Sequence, residues 1–224
     1  MLNENEIIQG DSLTLLRQFN DACIDAIITD PPYGINYQSN FGKHRRYDGI
    51  SNDKLPFIWW LYDGYRVLKD GGCLLCFSRW DVQQIFTQAM QIAGFIVKSS
   101  IVWDKTVGGM GDLKAQFAPS YETIIFAIKG KYAFPGGRPN DVLRQLKVNS
   151  CHMIHPNQKP VELMEQLVAA TTRHDDLILD PFAGSGSTLV AAKNKGRRYI
   201  GIELDQDYCE IARKRLEAKE AGKS

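Results

Sequence analysis

Short apolar runs alternate with helix-length amphipathic stretches along the whole chain. The runs 6–10, 25–29, 72–78, 95–103, 122–128, 177–179 and 199–202 are mostly continuous in apolar residues rather than alternating. Such runs predict strands covered on both faces, as in a sheet sandwiched between helices. Between them, apolar positions recur at helical spacing near 12–19, 55–69, 81–93, 160–173, 186–195 and 206–221. The last stretch sets Tyr208, Ile211, Arg215 and Leu216 on one face, with charges elsewhere. This alternation predicts an α/β fold with a doubly wound, mostly parallel, seven-stranded Rossmann-like sheet. No helical pattern separates 95–103 from 122–128, which predicts an antiparallel element there.

Three polar segments interrupt the scheme, and segments this long in a compact domain are usually functional or disordered. Residues 34–56 carry Lys43, His44, Arg45 and Arg46 together, and 104–120 contain Gly108, Gly109 and Gly111. Residues 129–154 hold Lys129, Lys131, Arg138, Arg144 and Lys147 against one acid, Asp141. The 224 residues suffice for one sizeable core, so 1–224 reads as a single domain with an insertion at about 129–154. A net charge of +1 gives no whole-chain attraction to nucleic acid, so any positive surface must be local. Lys43, Arg45, Arg46, Lys131, Arg138 and Arg144 are the candidates for it.

No apolar run has the length of a membrane span, and Met1-Leu-Asn-Glu-Asn-Glu6 lacks the basic start and apolar core of a signal peptide. The five cysteines are odd in number and scattered, as reduced thiols of a cytoplasmic protein would be. Cys73 and Cys76 form a C-x-x-C inside an apolar run. On a strand they point to opposite faces, and no second such pair accompanies them, so no metal is expected.

Ile178-Leu-Asp-Pro-Phe-Ala-Gly-Ser-Gly-Ser-Thr188 reads as a strand, a glycine turn and a helix start. Gly184 and Gly186 let backbone approach a ligand closely, and Ser187 or Thr188 can cap the helix. A second strand then ends on Glu203, whose carboxylate can accept from both hydroxyls of a ribose. A phosphate-binding P-loop is excluded, because no Gly-Lys-Ser/Thr follows the turn. A dinucleotide would want a third glycine where Leu189 stands. The pattern favours a nucleoside cofactor without a pyrophosphate, such as S-adenosylmethionine.

Thr29-Asp-Pro-Pro-Tyr-Gly34 closes an apolar strand. Two consecutive prolines fix an extended course and remove two amide donors, leaving a carbonyl free to accept from a ligand. Asp30 adds a second acceptor, and Tyr33 offers a flat face. Two acceptors and a ring suit the exocyclic amine of an aromatic base. Accepting both of its hydrogens frees the nitrogen lone pair to attack a sulfonium methyl. A base reaches such a pocket by leaving the duplex stack.

The chain resembles the N6-adenine/N4-cytosine DNA methyltransferases in the circularly permuted arrangement called the beta group. The likeness runs through Gly10-Asp-Ser-Leu13, Asp30-Pro31-Pro32-Tyr33, Arg66-Val-Leu-Lys-Asp-Gly-Gly72, Ser120-Tyr-Glu122, His155-Pro-Asn-Gln-Lys-Pro160 and Asp180-Pro-Phe-Ala-Gly-Ser-Gly186. It implies that Asp30, Pro31, Pro32 and Tyr33 form the catalytic motif and hold the target base. It implies that Asp11 contacts the cofactor's adenine and Glu203 its ribose. Asp180, Phe182 and the turn Gly184, Ser185, Gly186, Ser187 and Thr188 would surround the methionine portion, with Lys159 nearby. An Asp11 that merely caps the helix begun by Ser12 is the plainer reading of that residue.

N4-cytosine members more often carry Ser where this chain has Asp30, so the resemblance favours N6 of adenine, with N4 of cytosine as the alternative. C5-cytosine chemistry would need a Pro-Cys nucleophile, and no cysteine here follows a proline. RNA and protein-amide methyltransferases with Asn-Pro-Pro-Tyr place the glycine motif first, the reverse of the order here. A catalytically dead binding module conflicts with the intact turn, Glu203 and Asp30. The implied partners are double-stranded DNA, a second copy of the chain to supplement a short recognition region, and a restriction endonuclease where one is paired with it. No membrane is implied.

Overall fold

The computed structural model describes residues 3–34, 56–109, 114–148 and 158–218. Within them, eight strands form one sheet: β1 (Glu6–Gln9), β2 (Ile24–Thr29), β3 (Leu68–Ser78), β4 (Ile96–Asp104), β5 (Tyr121–Ile128), β6 (Val142–Arg144), β7 (Leu177–Asp180) and β8 (Arg198–Glu203). Their spatial order is β1-β8-β7-β2-β3-β5-β4-β6. Neighbours run parallel except β5, which is antiparallel to both β3 and β4. The helices are α1 (Ser12–Leu16), α2 (Leu61–Val67), α3 (Gln83–Ala93), α4 (Val161–Thr171), α5 (Ser187–Asn194) and α6 (Gln206–Glu217).

The seven strands expected from apolar runs are all present, with the antiparallel pair where no helix intervenes. β6 is the eighth. It is a partly exposed three-residue edge strand, held by pairing Val102 with Val142 and Asp104 with Arg144 rather than by apolar burial. β3 starts at Leu68, ahead of the apolar run, because the register slips between Ile24↔Leu68 and Ala26↔Cys73. That irregularity absorbs the polar Lys69-Asp-Gly-Gly72 into the strand.

From the β7/β2 boundary the chain winds both ways: β2 crosses to β3 on one side and β7 to β8 on the other. Right-handed crossovers in opposite directions put α2 and α5 on opposite faces. Helices α1, α2 and α3 pack in sequence, as do α4, α5 and α6, forming two outer layers. Ile27, Ile28, Leu74, Leu75, Ile178 and Leu179 are fully inaccessible between them, each worth roughly 1.5–3 kcal/mol of apolar burial. Reversal of winding opens a crevice at the carboxyl ends of β7 and β2, the usual ligand position in such sheets.

Cys73 and Cys76 are both buried in β3, with Cys73 facing the Thr171 carbonyl of α4. Burial raises both thiols, Cys73 to about 12. Among the described residues no cluster of His, Cys, Asp or Glu is arranged to hold a metal ion, and no helix is long and apolar enough to cross a membrane.

Candidate active site at the carboxyl edge of the sheet

One edge of the sheet collects the acids that the motifs singled out. β1 runs into Gly10 and Asp11, β8 ends on Glu203, β7 on Asp180, and β2 delivers Asp30. Because β5 is antiparallel, it begins at this same edge, with Glu122 opposite Trp103 of β4.

On one side of the crevice lies the glycine turn. Asp180 is buried, and its Oδ1 accepts from Thr29 Oγ1 at 2.7 Å and Phe182 N at 3.1 Å, tying β7 to β2 across the winding boundary. Burial lifts its carboxyl to about 6, against the pull of hydrogen bonds from Thr188, Thr29 and Phe182. Gly184 and Gly186 have φ of 51° and 79°, the left-handed region that disfavours side chains. A Cβ on Gly186 would also lie 2.9 Å from that of Ala212. The capping position of α5 is Gly186 itself, not Ser187 or Thr188, so no side chain caps the helix. Among the described residues no side chain accepts from its first amides, a setting suited to a ligand's anionic or carbonyl oxygen.

Arg215 of α6, which the sequence places on that helix's buried face, props the turn from behind. Its Nη1 donates to the Ser185 carbonyl at 2.6 Å, to Ser185 Oγ at 3.0 Å and to Ser187 Oγ at 3.3 Å. Glu203 braces the turn from the front: Oε2 accepts from Gly184 N at 2.7 Å and Oε1 from Asp205 N at 2.9 Å. Burial raises this carboxyl as well. With a further backbone bond from Leu204, these contacts use about three-quarters of a carboxylate's acceptor capacity, leaving the remainder for a hydroxyl donor.

Asp11 is the N-cap of α1 and accepts from Thr14 N at 3.1 Å and Thr14 Oγ1 at 2.9 Å. The capping reading thus describes its contacts within the protein. Ser12 Oγ donates to the Pro181 carbonyl, fixing α1 against the turn. The Phe182 ring meets Trp60 and Phe57 edge-on at 5.6 and 5.8 Å. Trp60 is fully buried, and its Nε1 finds no acceptor among the described residues. An orphaned buried donor costs about 1–3 kcal/mol unless water or a ligand satisfies it. A glycine turn, a helix start with no side-chain cap, a carboxylate with acceptor capacity to spare and the partly buried Phe182 ring together fit a nucleoside-bearing group.

Across the crevice stands Asp30. Tyr33 Oη donates to its Oδ1, and Lys159 Nζ lies 2.8 Å from its Oδ2. Lys159 lies equally close, 2.8 Å, to Glu122 Oε2, and Lys105 Nζ lies 2.5 Å from Glu122 Oε1. The Lys159 ammonium also sits 4.9 Å from the Phe77 ring centroid and 5.9 Å from that of Trp103. Burial raises the Asp30 carboxyl, with Lys159 opposing the rise. Burial acts in the same direction on Glu122, but the two ammoniums of Lys159 and Lys105 outweigh it and hold Glu122 at about 2. Burial and the charge of Asp30 push the Tyr33 phenol well above its ordinary value, so it stays a donor.

The two prolines differ. The Pro32 carbonyl accepts from Phe57 N at 3.0 Å, whereas no donor among the described residues reaches that of Pro31. Pro31 is thus the free carbonyl of the pair. Glu122's pairing with two lysines and the place of Lys105 were not read from the sequence. The only trace was Glu122's place in the Ser120-Tyr-Glu122 motif.

The basic candidates scatter. Lys43, Arg45 and Arg46, with His44, lie outside the described residues, as does His155. Arg144 belongs to the site edge: it pairs with Asp104 in register and lies 3.3 Å from its Oδ2, with 79% of its side chain exposed. Arg138 is exposed in the connection between β5 and β6. Lys131 follows the end of β5, and there Lys129 exchanges backbone bonds with Gly71 and Gly72 at the opposite edge of the sheet. The start of 129–154 is accordingly part of the body. Lys129 Nζ donates to the carbonyls of Tyr65 and Leu68 at 2.8 and 2.7 Å, and Tyr132 and Phe134 pack on Phe126.

The family described as DNA methylase matches residues 24–214. YubD of Escherichia coli (strain K12), which carries a methylase name, is 35% identical over 218 residues, covering 96% of this chain and 91% of its own. A crystal structure of M1.HpyAVI in complex with SAM superposes with a TM-score of 0.75 at 27% identity, covering 95% of this chain and 99% of that one. PvuII DNA methyltransferase, cytosine-N4-specific, superposes with a TM-score of 0.74 over 96% of this chain and 87% of its own. At 18% identity that likeness shows the fold alone. With residues 24–214 matched, and Asp11, Asp30, Glu122, Asp180 and Glu203 at one sheet edge, the chain belongs to the N6-adenine/N4-cytosine DNA methylase family.

Proposed function

We propose that this protein methylates the N6 amine of adenine in double-stranded DNA, with S-adenosylmethionine as donor. When bound, the donor supplies an electrophilic methyl group. The turn at Gly184–Thr188, with Asp180 and Phe182, is where its methionine portion would rest, and Glu203 and Asp11 would take its nucleoside. One observation carries the reading: Asp30 and the free carbonyl of Pro31 are adjacent acceptors on the crevice edge beside that turn. Together they accept both hydrogens of an amine and draw its lone pair out of conjugation with the ring. Tyr33, fixed by its bond to Asp30 and by the edge of Phe86 at 6.5 Å, forms a stationary wall for the extruded base.

The exocyclic amine of cytosine makes the same two-acceptor demand, and the cytosine-N4-specific PvuII enzyme shares the fold. Asp30, in place of the Ser more common among N4-cytosine members, favours adenine. The test is transfer of labelled methyl groups to unmethylated genomic DNA, followed by nuclease digestion and nucleoside chromatography. N6-methyladenine is the expected product, lost in Asp30→Ala. Label found only in N4-methylcytosine would replace the adenine reading. A cytoplasmic location, a homodimer and a restriction endonuclease partner belong to the same proposal, with gel filtration on and off DNA as the check on assembly.

A further inference from the structure

Lys159 was expected beside the cofactor's methionine portion, but its ammonium is committed elsewhere. Its Nζ is 2.8 Å from Asp30 Oδ2 and 2.8 Å from Glu122 Oε2, its side chain is 9% exposed, and the Phe77 and Trp103 rings lie within 6 Å. An ammonium has three N–H donors. Two are taken by the carboxylates of Asp30 and Glu122, and the ammonium lies beside the Phe77 and Trp103 rings, so at most one donor is left for a carboxylate of a ligand. Glu122 is itself held from the far side by Lys105 at 2.5 Å. The result is an alternating series, Lys105, Glu122, Lys159 and Asp30, whose charges sum to zero.

We propose that Lys159 is a positioning residue for Asp30 rather than a cofactor ligand, with Glu122 and Lys105 as the charged frame that holds its ammonium in place. The series joins four segments: the residue after β2, the residue after β4, the start of β5 and the lead-in to α4. Its output is the direction and ionisation of one carboxylate. Asp30 Oδ2 is turned toward Lys159 while Tyr33 holds Oδ1, so neither oxygen can rotate away from the crevice without breaking a charge-assisted bond. The other ionisable groups acting on Asp30 are the buried Cys76 thiol of β3 and Asp180 of β7, besides Glu122 and Tyr33. None of these is a cation, which leaves Lys159 as the near counter-charge to Asp30 among the described residues. The proposal rests on the reading of Asp30 as the acceptor for the amine.

The frame predicts a pattern of signs. Removing a cation makes Asp30 harder to ionise, and removing Glu122's charge makes it easier. Lys159→Met should therefore move the acid limb of the kcat–pH profile up by at least one unit. Lys105→Met should move it up by less, and Glu122→Gln should move it down. Steady-state kinetics on unmethylated genomic DNA from pH 5 to 9 read the limb, and titration calorimetry reads S-adenosylmethionine binding. Affinity for S-adenosylmethionine should stay within about threefold in Lys159→Met, while kcat at pH 7 falls tenfold or more. A cofactor ligand would show the reverse, a tenfold or greater loss of affinity with the limb unmoved, and that result overturns the proposal. Limbs that all shift one way, or not at all, overturn it too. Should Lys159→Met fail to fold by circular dichroism, the opposite signs of Lys105→Met and Glu122→Gln decide the matter. Asp30→Ala separates the two ideas: undiminished transfer in that variant removes the acceptor reading itself, whereas lost transfer without the sign pattern removes the frame alone.

Discussion

Asp180 shows how the site trades stability for position. Its carboxyl is 3% exposed and carries hydrogen bonds from Thr29 and Phe182, yet burial lifts it to about 6 from an ordinary 3.8. A carboxyl raised on folding stabilises the protein fully below its unfolded value, and that contribution is lost as pH rises through about 6. Above that pH the ionised Asp180 opposes folding by on the order of 2–3 kcal/mol. Both of these bonds end on Oδ1, so Asp180→Asn can keep them through its amide oxygen, and its amide nitrogen can donate to the Thr188 hydroxyl in place of the bond that Thr188 gives Asp180. The variant should melt higher than the parent at pH 8, with the gap closing toward pH 4.5, as thermal denaturation by circular dichroism at the two pH values would show. An equal gap at both would mean that packing, not ionisation, governs this residue. A functional site tolerates such a residue where the negative charge, or its bracing of the Phe182 turn, serves binding. Glu203 is built on the same lines, since its raised carboxyl is committed to Gly184 and Asp205 before any ligand arrives.

At the scale of elements, the strand–turn–helix from β7 to α5 depends on backbone more than on side chains. Gly186 combines a φ of 79° with a neighbour, Ala212 Cβ, 2.9 Å from where its own Cβ would fall. A left-handed non-glycine residue costs about 1–2 kcal/mol, and the overlap adds to it because α6 must shift. Gly186→Ala should lower the denaturant midpoint accordingly and raise the Michaelis constant for S-adenosylmethionine. Gly137→Ala, with nothing within 4 Å of the new methyl, should change neither. These elements were legible because each strand is an apolar run closed by a turn signal, and the glycine turn announces itself by composition. β6 was not legible: three partly exposed residues, Val142–Arg144, gain their place from hydrogen bonds to β4, which leave no trace in hydropathy. The Lys159–Glu122 contact was equally hidden, since it joins residues 37 apart through tertiary packing. Cap and brace roles of Asp11, Glu203 and Arg215 share residue types with ligand contacts, so sequence alone leaves the two uses superposed.

The whole molecule presents DNA with an edge rather than a face. Asp30, Asp180 and Glu203 open at the carboxyl ends of the parallel strands, so a duplex delivering a base there must lie across that rim. Basic residues contribute to binding according to which rim they occupy, not according to their density in sequence. Arg144 stands on the site rim, 79% exposed, and its ion pair with Asp104 at 3.3 Å is a surface contact worth little, roughly 0–1 kcal/mol. Its guanidinium can therefore turn to a phosphate at small cost. Lys131, thirteen positions earlier in the same basic stretch, follows β5 to the opposite rim, far from any duplex seated over Asp30. Each phosphate contact releases condensed counterions, and its loss flattens the slope of log affinity against log salt by about one. Arg144→Ala should show that flattening and weaker binding across unrelated sequences, whereas Lys131→Ala should match the parent in both. Fluorescence anisotropy with a labelled duplex, titrated at several salt concentrations, measures both quantities. A slope change in Lys131→Ala with none in Arg144→Ala would place the duplex on the wrong edge of the sheet.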